Sequence, residues 1–150
     1  MQHSYYEERR KDLAASDMGN IFTFDENGLM QYNDQATLAN GDKGGLFFLA
    51  KLNAQDTEGA PIYTVEEQYN LLKAAGFESA MKYDDSGNEL KLEKGKEDDY
   101  YTNAVQAFWD KVDGWKDELD DLYDSYNEQL EKVLSNEEER NKLLQEIIDN

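Results

Sequence analysis

Between Tyr101 and Tyr126 the large apolar residues return at helical intervals. Tyr101, Val105, Phe108, Val112, Trp115, Leu119, Leu122 and Tyr126 follow one another at spacings of 4, 3, 4, 3, 4, 3 and 4. Alternation of 3 and 4 marks a heptad seam on one face of a helix. The next seam positions are Gln129, Val133, Asn136 and Arg140, so the seam falters there. It returns at Leu143 and Ile147, widened by Leu144 and Ile148. No proline interrupts residues 97–150, and a continuous helix of that span is roughly 80 Å long at about 1.5 Å per residue. Ser135 and Glu138 form a capping-box pair, which makes a kink near residue 135 the alternative to an unbroken helix. Gly114 costs ~1 kcal/mol inside a helix and need not end it.

Upstream the periodicity is shorter. Ser4 followed by Glu7 is a capping-box pattern opening a short helix to Ala15, with Asp17 and Gly19 at its end. Ile21–Phe24 and Leu29–Tyr32 flank Asp25-Glu26-Asn27-Gly28, which fits a type I turn with glycine in the left-handed position. Tyr83-Asp84-Asp85-Ser86-Gly87 repeats that pattern, and Leu90 and Leu92 alternate with Glu89, Lys91 and Glu93. One hairpin alone is marginal in water, so the two are expected to join in one small antiparallel sheet. Between them, Asn33–Asn40 reads as a short helix stopped by Gly41. Leu46–Leu52 reads as a buried strand or a short helix, and residues 57–61 read as a loop. Thr64 and Glu67 form a further capping box, opening a helix that Gly76 closes.

The expected fold is therefore α+β, mainly α. Residues 1–96 form a small α+β domain with two hairpins, and residues 97–150 form a long acidic amphipathic helix. The interaction seam on that helix comprises Val105, Phe108, Val112, Trp115, Leu119, Leu122, Tyr126, Leu143 and Ile147. Each large apolar side chain fully buried contributes ~1.5–3 kcal/mol, so the seam must be covered, either within this chain or by another. Its aromatic members suit packing on a small domain or in a mixed bundle better than a plain dimeric zipper.

Charge narrows the function classes. The chain of 150 residues has a formal net charge of −19. Residues 97–150 hold 17 acids against 5 bases. Such a surface repels nucleic-acid backbone, whose binding needs lysine and arginine to displace counterions. Direct nucleic-acid binding is not expected, whereas a basic protein surface is a fitting partner. The N-terminal sequence MQHSYYEERR lacks the apolar run of a signal peptide, and no stretch approaches the roughly 20 apolar residues of a membrane span. A soluble protein is expected, with no address legible in the sequence.

Candidate chemistry is sparse. There is no cysteine and a single histidine, His3, which leaves no thiolate site, no disulfide and no histidine-centred triad. Asp113, Asp117, Asp120, Asp121, Asp124 and Glu128 share the face opposite the seam. A row along one helix diverges where a metal site needs convergence, so a solvated face is expected. Gly28 and Gly87 occupy the fourth position after their turns begin, whereas a calcium-binding EF-hand loop needs glycine sixth and glutamate twelfth. Glu89-Leu90-Lys91 after Asp84 and Asp85 echoes the end of a nuclease core, but such strings are common in charged hairpins. No catalytic, cofactor or metal residue is assigned.

The segments FTFDENGLMQYND and DDLYDSYNEQLEKVLSNEEERNKLLQEIIDN resemble parts of the long coiled-coil tape-measure proteins of phage tails. The likeness covers residues 21–36 and 97–150, and residues 40–96 depart from it. It implies a structural segment of a larger protein, virion-associated or cytoplasmic. The expected function is a non-catalytic assembly or protein-interaction segment acting through the amphipathic helix, by partner binding or self-association. The alternative is an acidic inhibitor or nucleic-acid mimic that covers a basic protein surface.

Overall fold

A computed structural model describes residues 2–149, with side chains from Tyr6 to Ile148. The mainly helical α+β architecture is present: α1 (Gln2–Ala14), β1 (Phe22–Phe24), β2 (Met30–Tyr32), α2 (Gly45–Leu52), α3 (Val65–Ala75) and α4 (Glu97–Asp149). Helix α4 is unbroken through Ser135, so no kink is assigned there. The chain divides into two compact units, Met1–Lys116 and Asp117–Asn150. The division falls within α4 rather than at its start, and residues 97–116 belong to the first unit.

The core of the first unit explains that division. Phe48 from α2, Phe77 after α3 and Phe108 from α4 form one cluster, with ring centroids 5.1 Å apart for Phe48–Phe77 and for Phe77–Phe108. Phe108 is fully buried, as are Ala104, Leu72, Ile21 and Phe22. Stacked and edge-on aromatic pairs add ~0.5–1.5 kcal/mol beyond the area they bury. A second aromatic group joins Tyr69 of α3 to Tyr100 and Tyr101 at the start of α4, at 5.6 and 4.9 Å.

Helix α3 obeys its sequence signals closely. The Thr64 hydroxyl accepts the Glu67 N–H at 3.2 Å, and the Glu67 carboxylate accepts the Thr64 N–H at 3.1 Å. Gly76 adopts φ +98°, which lets the Phe77 N–H reach the Leu72 carbonyl at 2.9 Å. Helix α1 begins at Gln2, upstream of the expected cap. The Ser4 half of that capping box lies outside the described side chains. Leu46–Leu52 proves helical rather than extended.

Two expectations need correction. The sheet contains one hairpin, β1 with β2, and not two. At the second, only Tyr83 and Glu89 bridge. The Leu90 N–H bonds the Lys82 carbonyl, but Lys91, Glu93 and Lys94 are exposed and Leu92 is 59% exposed. That segment therefore has no apolar face to lay on a sheet. Asn33–Asn40 is not helical, because its polar backbone is committed elsewhere. Leu38 N–H donates to the Asp42 carbonyl and Gly41 N–H to the Leu38 carbonyl. The expected loop at residues 57–61 is present and forms the tip of a tight hairpin bridged between Gln55 and Pro61.

These corrections have a common cause. Four hairpin tips share one geometry, at residues 24–30, 37–43, 55–61 and 83–89. In each, the fifth residue is a glycine with φ between +79° and +88°. In three, an aspartate (Asp25, Asp56 or Asp84) turns its carboxylate oxygen onto the N–H groups two and four residues later, at 2.8–3.0 Å. This is a type I turn with a glycine bulge, locked by charge-assisted hydrogen bonds. The fourth carries Leu38 at that position and uses Asn40 and Asp42 instead.

Candidate interaction surface

The nine seam residues divide between two environments. In the first unit Val105, Phe108 and Val112 are buried, and Trp115 is half-buried beneath the Arg9 guanidinium, 4.2 Å from the ring centroid. This part of the seam packs within the chain. In the second unit Leu119 is buried and Leu122 half-buried, whereas Tyr126 is 51%, Leu143 61% and Ile147 72% exposed.

The apolar face of the second unit is not a simple continuation of the heptad. On an α-helix with 3.6 residues per turn, Leu119, Leu122, Tyr126, Leu130 and Val133 share one face at spacings of 3, 4, 4 and 3. The extra four-residue step after Tyr126 is a stutter that converts a heptad into an eleven-residue repeat. Continuing the repeat reaches Glu137, Asn141, Leu144 and Ile148. The face is therefore apolar at both ends and polar for one turn, where Arg140 joins Glu137 and Asn141. Leu143 and Ile147 sit at its edge. Leu130, Val133 and Leu134 are its centre, all exposed, and heptad counting past Tyr126 passes over two of them. The missed signal was the 126-to-130 step itself.

Around this face the charge is one-sided in sign. Residues 117–150 carry twelve acids against three bases, Lys132, Arg140 and Lys142. Asp120, Glu131 and Glu138 follow one rim. Asp113, Asp117, Asp120, Asp121, Asp124 and Glu128 are all exposed, so water solvates them. Among the described residues no group of three His, Asp or Glu side chains converges as metal ligands. No helix there is long and apolar enough to cross a membrane.

Elsewhere among the described residues, four ionisable groups are shifted by their hydrogen bonds. Lys51 donates to Asp42 at 2.8 Å, and that hydrogen bond holds the Asp42 carboxyl below its ordinary range and raises the Lys51 ammonium. Tyr100 is pushed up by its hydrogen bond with Tyr69 and by burial. Glu97 is drawn down by the N–H of Gly95 and by its own, at the open end of α4. No protein-family model, curated protein or solved structure matches this chain.

Proposed function

We propose that the chain is a non-catalytic protein-interaction segment whose working surface is the exposed apolar face of α4 between Tyr123 and Ile148. The observation that carries this reading is the run of large side chains from Tyr123 to Ile148 that remain exposed on one helix face. Exposed apolar patches rimmed by polar residues mark interaction sites, and covering each such side chain is worth ~1.5–3 kcal/mol. The aromatic core of the first unit holds residues 97–116 of α4, and the face from Tyr123 onward is the one offered to a partner. The resemblance to tape-measure segments supports a structural setting of the phage-tail kind, in which helices associate along their length.

Site-specific photo-cross-linking tests it. A photoreactive residue at Leu130 or Leu144 should yield protein adducts in cells that make the protein, and one at Asp121 or Glu128 on the opposite face should not. Absence of adducts from both apolar positions would overturn the reading.

A further inference from the structure

The rims of the apolar face specify its partner more narrowly than the face itself. We propose that residues 123–148 dock an amphipathic helix of another protein whose own rims carry lysine and arginine. The inference rests on the docking role of this face and adds the identity of what covers it.

Two observations select that occupant. The first is charge. Before Arg140 the face has no base at either rim, and Asp120, Glu131 and Glu138 line one of them. Packed helices lie 8–10 Å apart, which is within the roughly 8 Å Debye length of physiological salt or close to it. A second copy would bring its own rim acids, Asp120, Glu131 and Glu138, toward the same rims. A lysine-rimmed helix brings attraction at the same positions. Like charges therefore reject self-pairing while opposite charges favour a basic partner.

The second observation is spacing. An eleven-residue repeat, at about 3.67 residues per turn, winds slightly right-handed instead of left-handed. The partner must carry the same spacing, with a polar side chain opposite the turn made by Glu137, Arg140 and Asn141. A buried polar layer of this kind fixes register at a cost in stability, which gives the surface selectivity as well as attraction.

The test uses the full chain and two synthetic helical peptides. Both carry leucines at the eleven-residue spacing, and their rims are all lysine in one and all glutamate in the other. Fluorescence anisotropy should show the lysine-rimmed peptide binding at least about tenfold more tightly, a difference near 1.4 kcal/mol, and weakening as salt rises. Leu130→Ser with Leu134→Ser should lose about tenfold of that affinity, with helix content checked by circular dichroism. Asp120→Lys, Glu131→Lys and Glu138→Lys together should reverse the preference, a readout that mere loss of folding cannot mimic. Equal binding of the two peptides, binding of neither, or affinity untouched by the leucine substitutions would overturn the proposal. So would a dimer in light scattering that the same leucine substitutions dissolve. Adducts from Leu130 into a second copy would refute the basic partner and leave the docking role intact, whereas no adducts at all would remove the docking role itself.

Discussion

The Asp17 carboxylate accepts a hydrogen bond from the backbone N–H of Ala80 at 2.9 Å, joining positions 63 residues apart. On the other side of the same residue, the Lys111 ammonium donates to the Ala80 carbonyl at 2.8 Å. Ala80 is buried, so an acid from the N-terminal segment and a base from α4 together satisfy both polar groups of one peptide residue. A hydrogen bond to a charged group contributes ~1.5–3 kcal/mol, and a partner stranded in a buried site costs ~1–3 kcal/mol. Asp17→Ala and Lys111→Met should each lower unfolding free energy in urea by about 1–3 kcal/mol. Their double variant should fall short of the sum, because both act on one turn. Strict additivity would show that the two contacts are independent.

Phe108 and Trp115 lie seven residues apart on the same seam, yet only Phe108 is fully enclosed. Phe108→Ala should cost ~3–5 kcal/mol through lost burial and the cavity left behind. Trp115→Ala should cost less, since the ring is half-buried and its contact with Arg9 is worth ~0.5–1 kcal/mol at an exposed site. Thermal melts of the two variants check the order, and a larger drop for Trp115→Ala would overturn it.

The long helix and the capped helix α3 were legible because each rests on local signals that tertiary packing did not oppose. Thr64, Glu67 and Gly76 fix α3 by hydrogen bonds within the segment itself. The α4 seam repeats often enough for its period to be counted. The four-residue step at Tyr126 was hidden by continuing a 3-and-4 count through polar positions. The turns were half legible. Asp25 and Asp84 announced themselves beside aromatic residues, whereas Leu38 occupies the aspartate position of its turn and hides the repeat. What no local pattern could supply was contact across distance: Asp17 with Ala80, or Arg9 over Trp115. Whether the seam is covered depends on those contacts, and the sequence left that question open.

Glycines at two kinds of position should respond differently to alanine. Gly59 adopts φ +86° with open space around a would-be Cβ, so Gly59→Ala incurs only the left-handed backbone cost, ~1–2 kcal/mol. Gly59→Asn should be milder, since asparagine tolerates that conformation. Gly44 has an ordinary φ of −81°, but a Cβ there would collide with the backbone carbonyl oxygen of Asn20 and crowd Ala36. Backbone atoms cannot swing aside as a flexible side chain does. Gly44→Ala should therefore be the more damaging, by about 2 kcal/mol or more beyond Gly59→Ala. Equal denaturation midpoints would contradict that steric account.

Stability should peak on the acid side of neutrality. Twelve acids against three bases in residues 117–150 repel one another along one helix, and protonation relieves that repulsion. Relief therefore begins as pH drops from 7 into mild acid. The Asp42–Lys51 pair acts in the opposite direction. The hydrogen bond from Lys51 holds Asp42 below its ordinary value, so its contribution is complete above the unfolded aspartate pKa, near 3.9. That contribution is lost as pH falls through the lower folded value. Lys51 is raised by the same hydrogen bond, so its contribution is lost only in strong alkali, above its ordinary pKa near 10.4. The two effects separate in pH: repulsion fades first, and the pair breaks only under stronger acid. Melting temperature should rise modestly from pH 7 to about 5, then fall below about 4. Asp42→Asn should lower the melting temperature at neutral pH and flatten the acid limb without moving the initial rise. A melting temperature that declines steadily from pH 7 downward would mean that paired carboxylates, and not repulsion along α4, govern the acid response.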